Sequence, residues 1–152
     1  MSKATSRRSK VPQRTVGSLV EEAASRHLAS LGYRILERNY ASRVGEIDIV
    51  AKDGGILVFV EVRYRGMRSV ESPAESLDRR KLSRIKRAIR HYLAERLGRE
   101  PRVVRVDVCL ARPVPETGCE EGTAERGGGE VVQVPFVGLV RFEVLKGVVD
   151  FA

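Results

Sequence analysis

Residues 45–65 read GEIDIVAKDGGILVFVEVRYR, and how this run pairs with itself decides the fold. Two apolar segments flank Asp53-Gly54-Gly55, whose Asp-Gly and Gly-Gly pairs both suit two-residue hairpin turns. Side chains in a strand alternate between faces. Glu46, Asp48 and Val50 therefore share one face, and Ile47, Ile49 and Ala51 the other. In the second segment Leu57, Phe59, Glu61 and Arg63 share a face, opposite Val58, Val60 and Val62. A Gly54-Gly55 turn sets Asp48 opposite Glu61. An Asp53-Gly54 turn sets Glu46 there, with Asp48 its diagonal neighbour. Either way Asp48 and Glu61 share a face, and directly opposed Cβ atoms lie about 5 Å apart.

Carboxylates in apolar strands are costly without a partner, and two of them that close repel unless a cation intervenes. One or two carboxylates plus water and phosphate oxygens are what Mg²⁺ takes, and Mn²⁺ is the alternative ion. Arg63, on the Glu61 face, can meet an anion held by that metal. The set suits metal-assisted phosphodiester hydrolysis. The competing reading pairs Glu46, Asp48 and Glu61 with nearby arginines at a sheet edge, with no metal at all.

The whole chain of 152 residues is long enough for one domain with a real core, and 42% of it is apolar. A net charge of +8 and a pI near 10.0 point to a polyanion, nucleic acid before membrane. No run approaches the roughly 18 apolar residues of a membrane span, and the basic N-terminus lacks a signal-peptide core. Cys109 and Cys119 form no metal-ligand pattern; free thiols in a reducing cytoplasm are the expectation.

Outward from the hairpin, residues 1–15 form a basic arm expected to be disordered, and residues 16–152 a single domain. A helical stripe of Val20, Ala24, Leu28 and Leu31 runs from about Ser18 to Leu31, closed by Gly32. Glu21 borders that stripe. It can reach the sheet carboxylates, pair with Arg63, or serve the helix N-terminus. His27, beside it, reads as a packing residue. A first strand is expected at 33–39. The run from Ile56 to Tyr64 is apolar on both faces apart from Glu61 and Arg63, as a covered central strand would be. After a polar loop at 66–71, Ser72-Pro73-Ala74-Glu75 fits a capping box and Asp78 a second N-cap. Leu82, Ile85, Ile89, Tyr92 and Leu97 then repeat with helical spacing. The opposite face carries Lys81, Arg84 and Arg87 among other cations, so phosphate contact competes there with a merely solvated face. Lys81 is the candidate cation facing the site. A strand is expected at 102–111, an acidic loop at 113–130, and a last hairpin turning at Lys146-Gly147. The order favours an α/β sheet with an antiparallel meander at its start, flanked by both helices.

Taken together, Glu21, Ala24, Leu28, Gly32-Tyr33, Arg38-Asn39, Gly45-Glu46-Ile47-Asp48, Val58 to Arg63, Ser72 to Glu75 and Lys81 resemble the YraN family of bacterial proteins. That family is similar to the PD-(D/E)xK nuclease superfamily, near the archaeal Holliday-junction resolvases. The resemblance covers roughly 20–107, and more weakly 144–152. It implies a restriction-endonuclease-like core: a mixed sheet, meander first, between helices. It implies catalytic positions at Glu21, Asp48, Glu61 and Arg63. Asp48 and Glu61, with Glu21, would hold Mg²⁺ (or Mn²⁺), and DNA, including branched or single-stranded forms, would be the partner. A homodimer would suit a junction with two symmetric cuts. Arg63 stands where the motif has Lys, and an arginine cannot lose a proton to act as a base. Val20 replaces the usual Gly, and the 113–130 insert is particular to this chain.

Overall fold

The computed structural model describes residues 15–65, 78–99, 103–115 and 129–149. Most of the basic arm, the loop at 66–71, the capping box at 72–75, Cys119 and most of the 113–130 insert lie outside the described residues. Helix α1 spans Val16–Ser30, capped by Thr15, whose hydroxyl accepts from the Ser18 amide at 3.2 Å. Its inner face buries Val20, Ala24 and Leu28 completely. Leu31, expected on that stripe, is the C-cap and is 53% exposed.

Three strands follow as an antiparallel meander: β1 (Arg34–Ser42), β2 (Gly45–Asp53) and β3 (Ile56–Tyr64). Helix α2 (Arg79–Tyr92), extended by a π-helical turn at Leu93–Leu97, crosses over to β4 (Val104–Pro113), which pairs parallel to β3. Strands β5 (Glu130–Val134) and β6 (Gly138–Val149) complete a mixed six-stranded sheet in the order β1-β2-β3-β4-β6-β5. The expected α/β sheet with a leading meander is therefore present, and β3 lies inside it.

The chain reverses at Gly54-Gly55, because Asp53 pairs with Ile56. Of the two registers open to the sequence, this one aligns Asp48 with Glu61. Gly54 takes a φ of 61°, a left-handed value that glycine adopts at no steric cost.

Two cores form, one on each sheet face. On the α1 side, Val20, Ala24 and Leu28 pack on Ile49, Ala51, Val58, Val60, Cys109, Ala111, Val140 and Phe142. On the α2 side, Ile85, Ala88, Ile89 and Tyr92 pack on Tyr40, Ile47, Val50, Leu57, Phe59 and Val106. Each fully buried large side chain contributes about 1.5–3 kcal/mol relative to exposure.

Three further expectations are corrected. Ile47 does not share a face with Ile49: it joins the α2-side core, Ile49 the α1-side core. The strict alternation slips by one at Asp48, where the ladder to β3 stops at Ile49–Val60. Lys146-Gly147 is a bulge inside β6 and not a hairpin turn. Between Val106 and Val108 of β4 the partner strand advances from Val149 to Leu145. Gly147 N–H donates to the Asp107 carboxylate at 2.9 Å, which anchors the bulge. The last hairpin instead turns at 135–137. Leu97, assigned to the apolar stripe of α2, is 44% exposed, because the helix widens into the π-helical turn before reaching it.

Candidate functional site

The slip at Asp48 is also what builds the site. Where the β2–β3 ladder ends, the Asp48 carboxylate replaces it, accepting the Val62 amide at 2.8 Å. Glu61, on the α2 face of β3, is only 8% exposed. The Glu61 carboxyl lies close enough to act on Asp48. Burial first, and then the charge of Glu61, push Asp48 up to about 7; the Val62 amide opposes this, and Glu21 adds to it. Glu21 arrives from α1. Its own carboxyl is raised by burial, then by Glu61 and Glu46, with Arg38 opposing. The structure thus brings the three acids into one electrostatic neighbourhood. No group of three or more His, Cys, Asp or Glu able to hold a metal ion forms among the described residues.

The cation on Glu61 is Lys81, whose ammonium forms an ion pair with it. The first turn of α2 delivers Lys81, and the N-cap Asp78 fixes that turn by accepting the Lys81 amide at 2.8 Å. Arg63 approaches the same Glu61 oxygen at 3.9 Å. Helix α2 can come this close because Gly45 starts β2. A Cβ there would lie 3.0 Å from the Arg84 carbonyl and 3.3 Å from Ala88 Cβ.

These groups line an open cavity of about 1240 Å³ between the β1–β2 turn, the end of β3 and α2. Its described walls carry seven basic side chains, Arg43, Arg63, Arg65, Arg80, Lys81, Arg84 and Arg87, against four carboxylates, Glu46, Asp48, Glu61 and Asp78. Arg80, Lys81, Arg84 and Arg87 stand on the cationic helix face legible in the sequence; Arg43 and Arg65 do not. Alternation from Arg63 would have found Arg65. Arg43 sits in a turn, where no periodicity marks it.

His27 packs as expected. It stacks on Phe142 at 5.5 Å and donates from Nδ1 to Glu130 at 2.9 Å. A second polar cluster at the far end of the sheet joins Tyr33, Asp53, Arg105, Asp107 and Lys146 through direct bonds. Asp107 is fully buried there and accepts from Tyr33, Arg105 and Gly147. A buried acid with that many donors is a structural tie between strands. Burial raises the Cys109 thiol to about 12, so it stays unreactive. No helix among the described residues is long and apolar enough to cross a membrane.

Residues 20–111 match the model of a group described as "Uncharacterised protein family UPF0102". The chain is 47% identical over 103 residues to a UPF0102 protein of Symbiobacterium thermophilum, covering 68% of this chain and 86% of that one. A relative from Moorella thermoacetica is 48% identical over 96 residues, 63% of this chain and 79% of its own. One from Frankia alni is 46% identical over 99 residues, 64% and 82% respectively. The matched span runs from α1 through most of β4 and contains every sequence-derived site residue.

Proposed function

The chain belongs to the uncharacterised protein family UPF0102, the YraN family, and on that premise we propose that it binds nucleic acid and hydrolyses DNA with a divalent metal. One observation carries the reading: Asp48 and Glu61 are pressed together, with Asp48 raised to about 7, in the wall of a groove dominated by cations. Such a pair calls for positive charge between its oxygens. The donor set fits Mg²⁺ or Mn²⁺, which Asp48 and Glu61 would hold with water and phosphate oxygens completing the shell, while Glu21 acts on the pair through its charge. When bound, the ion would polarise a phosphodiester and lower the pKa of a coordinated water.

The chain's own residues supply the rest. Arg63 places a permanent guanidinium beside Glu61, where it stabilises charge developing on phosphate oxygens but cannot take up a proton. Lys81 holds Glu61 in place through its ion pair. Arg84 and Arg87 position the backbone by phosphate contacts, which carry no sequence information. In this reading the sheet and its two helices are a restriction-endonuclease-like core, and a resolvase-like homodimer is the assembly that suits a branched substrate.

Purified protein should cleave branched, flapped or single-stranded DNA with Mg²⁺ or Mn²⁺, and Asp48→Ala or Glu61→Ala should abolish cleavage. Cleavage that survives both substitutions, or is absent from wild type on all three substrates, overturns the nuclease reading. The Lys81–Glu61 ion pair and Arg63 favour a second reading, a non-catalytic DNA- or RNA-binding protein retaining the nuclease fold. There, binding persists unchanged in chelator and weakens steeply with salt.

A further inference from the structure

The α2-side face of the sheet continues past the site. On β4, Cys109 and Ala111 pack toward α1, and on β6 so do Val140 and Phe142. Alternation therefore turns Arg112 and Arg141 to the α2 side, the side of Glu61 and Arg63. Arg112 pairs directly with Arg141 across β4–β6. The Arg65 amide bonds to the Ala111 carbonyl at 2.9 Å, one residue short of Arg112, so Arg65 extends the same line onto β3. Three arginines thus stand in a row across three neighbouring strands, about 4.8 Å apart per strand. Like charges directly opposed in a sheet are unfavourable. Glu143 stands opposite Leu110 in the adjoining row. Arg141 Nε is buried with no hydrogen-bond partner among the described residues.

We propose that Arg65, Arg112 and Arg141 form a phosphate-binding row that leads a nucleic-acid strand out of the groove and across the sheet from β3 to β6. Arg65 lines the groove itself, so the two surfaces are continuous. Guanidinium groups suit the role because each presents a planar fork to a phosphate. The row gives the bound strand a direction, across the sheet and away from α2. Arg112 and Arg141 fall outside the family-matched residues 20–111, so the extended footprint belongs to the part of this chain the match does not reach. The inference rests on the nucleic-acid reading above.

The test is fluorescence anisotropy of a labelled single-stranded oligonucleotide long enough to cross the sheet, in chelator, as a function of salt. Each of Arg112→Gln and Arg141→Gln should flatten the slope of log affinity against log salt by about 0.7, one phosphate contact's worth for a single strand. Arg141→Lys, which keeps the charge, should retain the wild-type slope. Arg26→Gln, on the exposed face of α1 and paired to Glu22, should leave it unchanged. Circular dichroism melts establish that each variant is folded. Wild-type slopes in both glutamine variants overturn the row while leaving the nucleic-acid reading standing. An equal loss in Arg26→Gln reduces the row to bulk charge and overturns it too. Wild type that does not bind at all sinks the nucleic-acid reading and the row with it.

Discussion

Asp48 is an acid whose fold works against its own ionisation. Its ordinary pKa is 3.8, and burial with Glu61 alongside raises it to about 7. Below the ordinary value the group is protonated whether folded or unfolded, and adds no pH dependence. Between the two values the folded chain keeps a proton the unfolded chain has released, so stability falls as pH rises. Above about 7 the full penalty applies, of order 4 kcal/mol. Urea unfolding of chelator-treated protein should therefore show stability declining through this window. Asp48→Asn should lack that decline and exceed wild type in stability at mildly alkaline pH; an identical pH profile in the variant would contradict the assignment. Lys81 is the complementary case. Lys81→Met leaves the buried Glu61 without its ammonium, at a cost of about 1–3 kcal/mol, and Mn²⁺ should restore part of it in a thermal melt. A variant as stable as wild type without metal would show that the ion pair is idle. The acids were legible from alternation alone, since Asp48 and Glu61 fall on one face in either register. Lys81 was placed by helical spacing, but its contact with Glu61 depends on the crossover between β3 and α2, which no local pattern records.

Between α2 and the meander, the decisive contact is backbone on backbone. Gly45 takes a φ of 156° and leaves room for the Arg84 carbonyl. Gly45→Val should push α2 away from β2, cost about 1–3 kcal/mol by overpacking, and disturb Lys81 along with it. Urea midpoints and the Mn²⁺ response of the same samples check both effects, and an unaffected midpoint would mean the helix has slack there. On the opposite face, Phe142 is fully buried against α1 and His27, so Phe142→Ala should cost about 3–5 kcal/mol. Strand β3 was readable end to end because it is apolar on both faces. The β6 bulge was not. Lys146-Gly147 has the composition of a turn, and carboxylates from other strands, Asp107 on the Gly147 amide and Asp53 on Lys146, hold the chain within β6. The face switch at Ile47 is hidden for the same reason: Asp48 satisfies the Val62 amide with its side chain, and that exchange leaves no periodic mark.

The chain carries a net charge of +8, and among the described residues seven cations and four carboxylates line one groove. Nucleic-acid affinity should fall steeply with salt, the slope growing by about 0.7–0.9 for each phosphate engaged. Composition pointed to a polyanion; the groove that gathers the cations needed the fold, because Arg43, Arg65 and Arg80 come from different elements. That the acids lie in the wall of this groove depends on where α2 crosses the sheet, which no local pattern records. The central claim is that Asp48 and Glu61 share a divalent ion at the groove wall. Calorimetric titration of Mn²⁺ into wild type, Asp48→Asn and Glu61→Gln tests it most directly. The account predicts saturable binding in wild type that disappears in both variants. Equal binding in all three proteins, or none in wild type, would contradict it.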